Sequence, residues 1–349
     1  MIWTITPNPA LDLTWRVPAW QRGRSHRVAD VAERPGGKGL NVARVLDQMG
    51  VPVSAAGFLG GGTGARVRDL LAQASPRIRS TWIEAPGETR RSVAIIDGDA
   101  TVFNEAGAPV PASAWADLTR LVADRVRPGD VVALSGSLPR GTDAESLSVL
   151  LAAAREAGAR TLADTSGPLL LVAAAHADVV KPNEEELLSA TAPMGARTID
   201  EGARALLARG TRCVVVSLGA RGMERHTPGG VLRARLPRAL EGNPTGAGDA
   251  AVAALAWHLA GASTSAGGES GAPETGDALP TETDREARDA LVRADAHRAW
   301  DALDWEDALR DAVATSAAAV VRPVAGEIDP AVRAALLPQI VIERTSHAR

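Results

Sequence analysis

Lysine is nearly absent from this chain. Of its 349 residues 38 are basic, but only Lys38 and Lys181 are lysines, so the other 36 are arginines. Arginine serves as a general surface cation, but it cannot replace lysine where a compact ammonium group is needed. Each remaining lysine is therefore a candidate functional residue.

The scarcity of lysine and cysteine excludes several kinds of site. A P-loop requires serine or threonine directly after its lysine, whereas Gly39 follows Lys38 and Pro182 follows Lys181. The single cysteine, Cys213, excludes an intramolecular disulfide bond and a cysteine-based zinc cluster. The six histidines form no His-x-x-x-His pair, which argues against a histidine metal site.

The sequence also lacks a basic, apolar leader and any apolar run of 18 residues. These absences favour a cytoplasmic protein without a membrane partner. The net charge of −4 gives no reason to expect a nucleic acid partner.

What the chain does contain is an alternation of short apolar runs and Ala/Leu-rich helical runs. The pattern predicts strands at 2–6, 53–58, 131–135, 160–163, 179–181 and 213–217. It predicts helices at 40–49, 65–74, 112–125, 144–157, 183–190, 200–208 and 247–260. Apolar strands separated by helices indicate an α/β fold whose parallel sheet is covered on both faces. Ligands of such folds bind beyond the carboxyl ends of the strands.

Three segments depart from this alternation. Residues 13–34 and 81–105 carry strand-like stretches without helices, and predict either a small separate sheet or long surface hairpins. Residues 261–302 begin with a Gly/Ser/Thr/Pro-rich stretch that is typical of a disordered loop. This segment has nine acidic residues and four arginines, a net −5, so the rest of the chain carries about +1.

The segment PGGKGLNVARVLDQMG, residues 35–50, places Lys38 and Asn41 at a predicted helix start. Its glycines let the backbone approach a ligand closely, and free N–H groups at a helix start favour anions or hydroxyl groups. The segment therefore predicts a ligand site, the structural alternative being a glycine-rich turn with a solvated lysine.

The segment VVKPNEEELLSA, residues 179–190, predicts a strand that ends near Lys181 and a helix capped by Asn183. Asn183 and Glu186 could lie near Mg²⁺ or its waters, because hard cations bind oxygen ligands. The structural alternative is a well-capped acidic helix start.

The segment NPTGAGDAAVAALAWHLAG, residues 243–261, opens a helix with Gly246, Ala247 and Gly248. Successive N–H groups at that end form a pocket for an anion. Asp249 in the first turn places a carboxylate beside this anion hole. The arrangement suits the deprotonation of a hydroxyl group while a phosphoryl group is transferred.

Weaker signals lie elsewhere in the chain. Asp12 is an acidic residue after the first strand, and Arg90 and Arg91 could pair with a phosphate. The turn SLGARG, residues 217–222, could border a nucleotide. The loop GFLGGGTGARV imitates a dinucleotide-binding fingerprint, but an isolated match of this kind is weak.

Together the motifs resemble the ribokinase-like sugar kinases of the PfkB group. TPNPALD, PGGKGLNVA, SGSLPRG, KPNEEEL, SLGARG and NPTGAGDA occur in the order and approximate spacing of that family. TPNPALD and GGKGLNVA look most like 1-phosphofructokinases and tagatose-6-phosphate kinases. The resemblance covers nearly the whole chain outside 261–302. Two departures are the length of that acidic insertion and the loop GFLGGGTG, which lacks an acidic residue often found there.

The resemblance implies a ribokinase-like fold, with a mainly parallel central sheet flanked by helices and a small β-sheet lid. It divides the chain into a core domain of residues 1–12, 35–80 and 106–349, which holds the insertion at 261–302, and a lid of residues 13–34 and 81–105. It also implies a homodimer that forms through the lid sheet.

The resemblance further implies a role for each matching residue. Asp249 is the implied catalytic base, and Gly246, Ala247 and Gly248 form the anion hole. The substrate-binding residues would be Asp12, Gly37, Lys38, Asn41 and Arg90. The nucleotide-binding residues would be Lys181, Asn183, Ser217, Gly219 and Gly222. Glu186 would bind the metal through water, with Asn183 nearby.

These implications predict an ATP- and Mg²⁺-dependent kinase that acts on a hexose phosphate. The most specific expectation is the conversion of fructose 1-phosphate to fructose 1,6-bisphosphate. Activity on tagatose 6-phosphate or fructose 6-phosphate is the first alternative, followed by a kinase of unphosphorylated sugars. A regulator of the same fold that binds a sugar phosphate or nucleotide without turnover is an alternative of a different class.

Overall fold

A computed structural model describes residues 1–261, Trp300 and residues 302–346. The strands, in chain order, are β1 (Ile2–Thr6), β2 (Ala10–Arg16), β3 (Asp30–Gly36), β4 (Val53–Leu59), β5 (Arg79–Glu84), β6 (Arg90–Asp97), β7 (Asp99–Asn104), β8 (Val131–Ser135), β9 (Arg160–Asp164), β10 (Val179–Val180), β11 (Cys213–Ser217), β12 (Met223–Thr227), β13 (Gly230–Arg235) and β14 (Val341–Ser346).

The helices are α1 (Lys38–Gln48), α2 (Gly61–Ala74), α3 (Ala112–Arg125), α4 (Ala144–Glu156), α5 (Pro168–His176), α6 (Glu184–Thr191), α7 (Ile199–Leu207), α8 (Ala247–Gly261), α9 (Trp305–Val320) and α10 (Pro330–Leu336). Within the described part of the chain, none of them is long and apolar enough to cross a membrane.

The larger sheet has ten strands in the order β14-β13-β12-β11-β10-β9-β8-β1-β4-β5. The seven strands from β11 to β5 are parallel, and β12, β13 and β14 extend this sheet by antiparallel pairing. Two apolar clusters cover its faces, one built on α1, α2, α8, α9 and α10 and the other on α3, α4, α5 and α7. The predicted α/β class and the mainly parallel, helix-covered sheet are therefore confirmed.

Alternate residues of the central strands explain this two-sided burial. Val131 and Ala133 of β8 belong to one cluster, whereas Val132 and Leu134 belong to the other. Successive side chains of a strand point to opposite faces of the sheet, so a strand buried on both faces has a continuous apolar sequence. Cys213 in β11 is buried as one of these apolar residues, and burial raises the pKa of its thiol to about 11.

The smaller sheet has four strands in the order β3-β2-β6-β7. It is built from the two segments that lacked helical patterning, so of the two alternatives the separate sheet is the one found. The exact boundaries of the lid stay a prediction. Three of the observed strands, β2, β3 and β5, each contain residues on both sides of a predicted boundary. Residues 81–84 pair with β4 in the larger sheet, while residues 10–12 and 35–36 pair in the smaller one.

Most predicted elements begin and end within two residues of the observed ones. An exception is α2, which starts at Gly61 rather than at residue 65, because its glycine-rich loop is already helical. The predicted acidic insertion at 261–302 lies outside the described residues, except for residues 261, 300 and 302.

Candidate functional site

A cavity of about 640 Å³ lies at the carboxyl ends of the parallel strands. It is lined by every predicted site residue except Asp12, namely Gly37, Lys38, Asn41, Arg90, Lys181, Asn183, Glu186, Ser217, Gly219, Gly222, Gly246, Ala247, Gly248 and Asp249. The fold thus brings together residues that are more than 200 positions apart in the sequence. Their individual roles stay predictions.

The amino end of α8 faces this cavity. Gly246 precedes the helix with φ at +86°, and a Cβ atom there would lie 2.7 Å from Cα of Ala325. Both the backbone conformation and the close contact require glycine at this position. The first N–H groups of a helix have no partner within the helix, and the helix dipole favours negative charge beside them. This end of the cavity can therefore hold an anionic group.

Asp249, in the first turn of α8, is 5% exposed. Its Oδ2 accepts a hydrogen bond from Nδ2 of Asn41 at 2.8 Å. Burial raises the pKa of Asp249 to about 7, and the negative charge of Asp164 adds to the increase, whereas the Asn41 hydrogen bond and the charges of Lys38 and Lys181 oppose it. A carboxyl group with such a pKa can accept a proton near neutral pH.

Asp164, at the end of β9, joins the two lysines. Its Oδ1 lies 3.5 Å from Nζ of Lys38, and its Oδ2 lies 4.0 Å from Nζ of Lys181. Asp164 and Lys181 are each only 2% exposed. The attraction between their opposite charges therefore offsets part of the free energy that it costs to remove each charge from water. Lys38 is partly exposed, and its Nζ also lies 3.7 Å from Oε1 of Glu186. The charges of Asp164 and Glu186 raise the pKa of Lys38 above its ordinary value against the effect of burial.

Asp164 lines the cavity, but it was not among the site residues predicted from the sequence. The predicted strand ended at residue 163, one position before it, and no glycine-rich motif marks it. The available signal was indirect, because a buried lysine needs a counter-ion and an acidic residue stood at the carboxyl end of a predicted parallel strand.

Asp12 and Arg90 lie on the smaller sheet. Arg90 is half-buried, reaches the cavity and donates a hydrogen bond from Nε to the backbone oxygen of Asn8 at 3.1 Å. Burial raises the pKa of Asp12 to about 6, and the charges of Arg90, Arg44 and Arg34 oppose the increase. The positive charge of Arg90 therefore acts on the Asp12 carboxyl group, although Asp12 does not line the cavity itself.

Asn183 and Glu186 form a capping box at the start of α6. Oδ1 of Asn183 accepts from the backbone N–H of Glu186 at 2.8 Å, and Oε2 of Glu186 accepts from that of Asn183 at 2.9 Å. The structural alternative for this segment is thus present, but it leaves Oε1 of Glu186 facing Lys38 in the cavity. Both interpretations of the segment are compatible in one geometry.

The donor set can be tested for a divalent cation. The described residues contain no group of three or more His, Cys, Asp or Glu side chains that could hold a metal ion. Mg²⁺ nevertheless keeps several water ligands and is commonly bound by one or two carboxylates together with substrate phosphates. Glu186 fits that mode, in which waters and phosphates supply most of the ligands.

The far part of the cavity is largely apolar. Beyond Ser217, Gly219 and Gly222, its walls include Leu236, Leu240, Val313 and Val320. Clefts for cofactors and nucleotides generally combine apolar walls with a few placed polar groups. The cavity therefore has an ionic end, near Lys38 and Asp249, and an apolar end.

Known proteins match this chain in sequence and in structure. The family model for pfkB family carbohydrate kinases matches residues 8–272. A 1-phosphofructokinase of Xanthomonas campestris pv. campestris is 38% identical over 266 residues, and the match covers 73% of this chain and 83% of that protein.

Two solved structures cover almost the whole chain. Phosphofructokinase-2 of Escherichia coli in complex with potassium has a TM-score of 0.79 and 25% identity, and the match covers 97% of this chain and 98% of that one. A possible 1-phosphofructokinase of Thermotoga maritima has a TM-score of 0.77 and 24% identity over 99% of this chain and 100% of that one. The second of these likenesses concerns the fold alone.

Proposed function

The chain belongs to the pfkB family of carbohydrate kinases, and we propose that it transfers the γ-phosphoryl group of ATP to a hexose phosphate. The most specific form of the proposal is the conversion of fructose 1-phosphate to fructose 1,6-bisphosphate, which the name of the 38% identical relative supports. The observation that carries the proposal is the buried Asp249 carboxyl group at the amino end of α8, in a cavity that also contains Lys38 and Arg90.

Asp249 is the proposed general base. Its carboxylate takes the proton of the attacking hydroxyl group, the hydroxyl oxygen bonds to the γ-phosphorus, and the bond to the bridging oxygen of ADP breaks. Its pKa of about 7 matches this task at neutral pH. The N–H groups of Gly246, Ala247 and Gly248 are proposed to stabilise the charge on the transferred group, because they are fixed in place before the reaction. In this structure the N–H of Ala247 donates to the backbone oxygen of Pro244 at 3.1 Å, so it would have to be shared with the anion.

Lys38 and Arg90 are the proposed ligands of the phosphate that the sugar already carries. The phosphate of a sugar phosphate needs cationic ligands that an unphosphorylated sugar does not need, and the side chains of Lys38 and Arg90 both reach the cavity. Asn41 would bind sugar hydroxyl groups in the cavity, and Gly37 would let the sugar approach the backbone. Asp12, which does not line the cavity, would reach the sugar when the smaller sheet closes. Lys181 and Asn183 would contact the nucleotide, together with Ser217, Gly219 and Gly222.

A divalent cation, proposed to be Mg²⁺, would be held by the ATP phosphates and by waters bound to Glu186. When bound, it would offset the negative charge of the phosphates. Lys38 already provides a positive charge beside Oε1 of Glu186.

The smaller sheet is proposed to act as a lid and as a dimer interface. Closure over the cavity would exclude water and so limit the hydrolysis of ATP. Opposed residues of paired strands share a face, so Val31 lies beside Trp15 on one face, which also carries Phe103. Val31 is 48% exposed and Phe103 is 53% exposed. A second copy of the chain would bury this apolar face. The cytoplasmic location stays a prediction.

The proposal is tested by coupled ADP release with fructose 1-phosphate, fructose 6-phosphate, tagatose 6-phosphate and ribose. We expect the highest kcat/KM with fructose 1-phosphate. A higher value with another sugar phosphate would overturn the substrate and keep the kinase. No ADP release with any of the four sugars, combined with sugar-phosphate binding in calorimetry, would favour the regulator. The Asp249→Asn variant, purified identically, controls for a contaminating kinase.

A further inference from the structure

The beginning of β6 is fastened to the loop before α2. The backbone N–H of Thr89 donates to the oxygen of Gly60 at 2.9 Å, and the N–H of Gly60 donates back to Oγ1 of Thr89 at 2.9 Å. Two residues further along, Nη2 of Arg91 lies 3.4 Å from Oγ1 of Thr63. Residues 89–91, which include Arg90, are thus held against residues 60–63.

Glu88 completes this attachment with its carboxylate. Oε2 of Glu88 accepts from the N–H of Thr63 at 2.8 Å, and Oε1 accepts from the N–H of Gly62 at 3.2 Å. These are two of the N–H groups at the amino end of α2 that have no partner within the helix, and the helix dipole adds to the attraction. The two hydrogen bonds lower the pKa of Glu88 below its ordinary value.

The glycines of this loop serve the same contact. Gly61 has φ at +64°, and a Cβ atom there would lie 2.3 Å from Oε1 of Glu88. A Cβ atom on Gly60 would lie 2.3 Å from the backbone oxygen of Ala85. The pattern that imitates a dinucleotide fingerprint is therefore explained by close packing of residues 85–88. The loop itself lacks an acidic residue, and Glu88 supplies the carboxylate from outside it.

The contact has a direct consequence for Arg90. Before Arg90 in the chain, Thr89 binds Gly60 and Glu88 binds the first turn of α2. After it, the N–H of Arg91 donates to Oε2 of Glu105 at 2.7 Å. The side chain of Arg90 is half-buried, and its Nε donates to the backbone of Asn8. The place at which its guanidinium group enters the cavity is therefore set by the attachment of its backbone to α2.

We propose that Glu88 is a positioning residue for substrate binding: its carboxylate holds the start of β6 on the amino end of α2, so that Arg90 meets the phosphate of the sugar in a fixed place. This inference rests on the proposed function, in which Arg90 binds that phosphate. Glu88 itself is exposed and does not line the cavity. Its effect is therefore on KM for the sugar phosphate rather than on the chemical step.

The test compares Glu88→Gln with Glu201→Gln in steady-state kinetics. Glu201 is an equally exposed carboxylate that accepts two backbone hydrogen bonds at the start of α7, away from the cavity. We expect Glu88→Gln to raise KM for the hexose phosphate about two- to tenfold, the range that corresponds to one hydrogen bond. Its kcat and its KM for ATP should stay within about twofold. Glu201→Gln should change none of the three constants, and thermal unfolding shows whether the two variants lose similar stability.

A double-mutant cycle with Arg90→Ala distinguishes the positioning role of Glu88 from the phosphate-binding role of Arg90. If Glu88 acts through Arg90, Glu88→Gln should raise KM in the wild-type chain but not in the Arg90→Ala chain. An equal rise in both backgrounds, or an unchanged KM in Glu88→Gln, would overturn the positioning role. If Arg90→Ala alone leaves KM for the sugar phosphate unchanged, the assignment of Arg90 in the proposed function is wrong instead.

Discussion

The carboxyl group of Asp249 is almost completely buried. Its Oδ2 accepts a hydrogen bond from the Asn41 amide, and the ammonium groups of Lys38 and Lys181 are close enough to affect its pKa. Burial disfavours its charged form, whereas the hydrogen bond from Asn41 and the charges of Lys38 and Lys181 favour it. The balance leaves the group ionised for part of the time at neutral pH, and an ionised carboxylate is what proton removal from a sugar hydroxyl group requires.

The first prediction replaces this carboxyl group by its isosteric amide. Asp249→Asn should lower kcat about 10²- to 10⁴-fold, because general-base catalysis contributes rate factors of this size. Circular dichroism and thermal unfolding should show an intact fold. A correctly folded variant with near-normal kcat would mean that Asp249 is not the base.

The second prediction concerns pH. Below about pH 7 Asp249 is increasingly protonated and cannot accept a proton, so kcat/KM should fall about tenfold per pH unit on the acidic side. Asn41→Ala removes a hydrogen bond that lowers the pKa of Asp249, and should therefore move the midpoint to higher pH. The pH profiles of both proteins, recorded with the same substrate, test this shift. A midpoint unchanged by Asn41→Ala would contradict it.

The third prediction separates two uses of Lys38. If its ammonium group binds the phosphate of the sugar, Lys38→Ala should raise KM for that sugar at least about tenfold, as expected for the loss of a charged hydrogen bond. Arg209→Ala, at an exposed position, is the matched control and should leave KM unchanged. A lower kcat at unchanged KM would instead assign Lys38 to the transferred phosphoryl group.

Most site residues could be predicted from the sequence because lysine and asparagine are rare in this chain. Both lysines and four of the five asparagines fall in the motifs that resemble the family. Asp164 was missed because acidic residues are common in this chain, 42 in all. Only the fold shows that this particular carboxylate lies between the two lysines.

Among the elements, α8 combines a helix start with a turn that only glycine can make. The sequence predicted this helix almost to the residue, because its apolar run is long and its glycines mark the start. The antiparallel strands β12, β13 and β14 were not predicted. β12 and β13 contain arginines and the glutamate Glu224, and form ion pairs such as Arg233 with Glu224 instead of an apolar run. Their pairing is decided by neighbours that are distant in the sequence.

The fourth prediction compares two glycines of this helix start. Gly246→Ala should lower the free energy of unfolding by about 1–3 kcal/mol, because φ at +86° is strained for alanine, and the contact with Ala325 adds to this. A Cβ atom on Gly248 would lie 3.7 Å from Nζ of Lys181, an ordinary contact. Gly248→Ala should therefore keep or slightly raise stability. Urea unfolding measures both, and equal losses would contradict the argument.

For the molecule as a whole, the sequence indicated two sheets of different character, since one set of strands alternates with helices and the other does not. It could not give the order of strands, which depends on contacts across the whole chain. The resemblance to the family implies that a second copy of the chain covers the smaller sheet, and this stays a prediction for the exposed apolar face that contains Val31 and Phe103.

The fifth prediction tests the proposed dimer. Phe103→Arg should shift the protein from dimer to monomer in light scattering coupled to size-exclusion chromatography, because a buried, unpaired charge opposes association. Val149→Arg is the matched control, since Val149 is 49% exposed on α4, away from the smaller sheet. Wild-type protein that elutes as a monomer, or a Phe103→Arg variant that remains dimeric, would exclude this interface.

The meeting of both lysines in one cavity has a practical side. Amine-directed reagents are the usual means of attaching fluorophores to proteins or coupling them to solid supports. Here both lysine side chains of the sequence line the cavity, so any label attached to a lysine would lie in the ligand site. Probes for this protein are better attached through carboxyl groups or through a cysteine introduced at the surface, since Cys213 is buried.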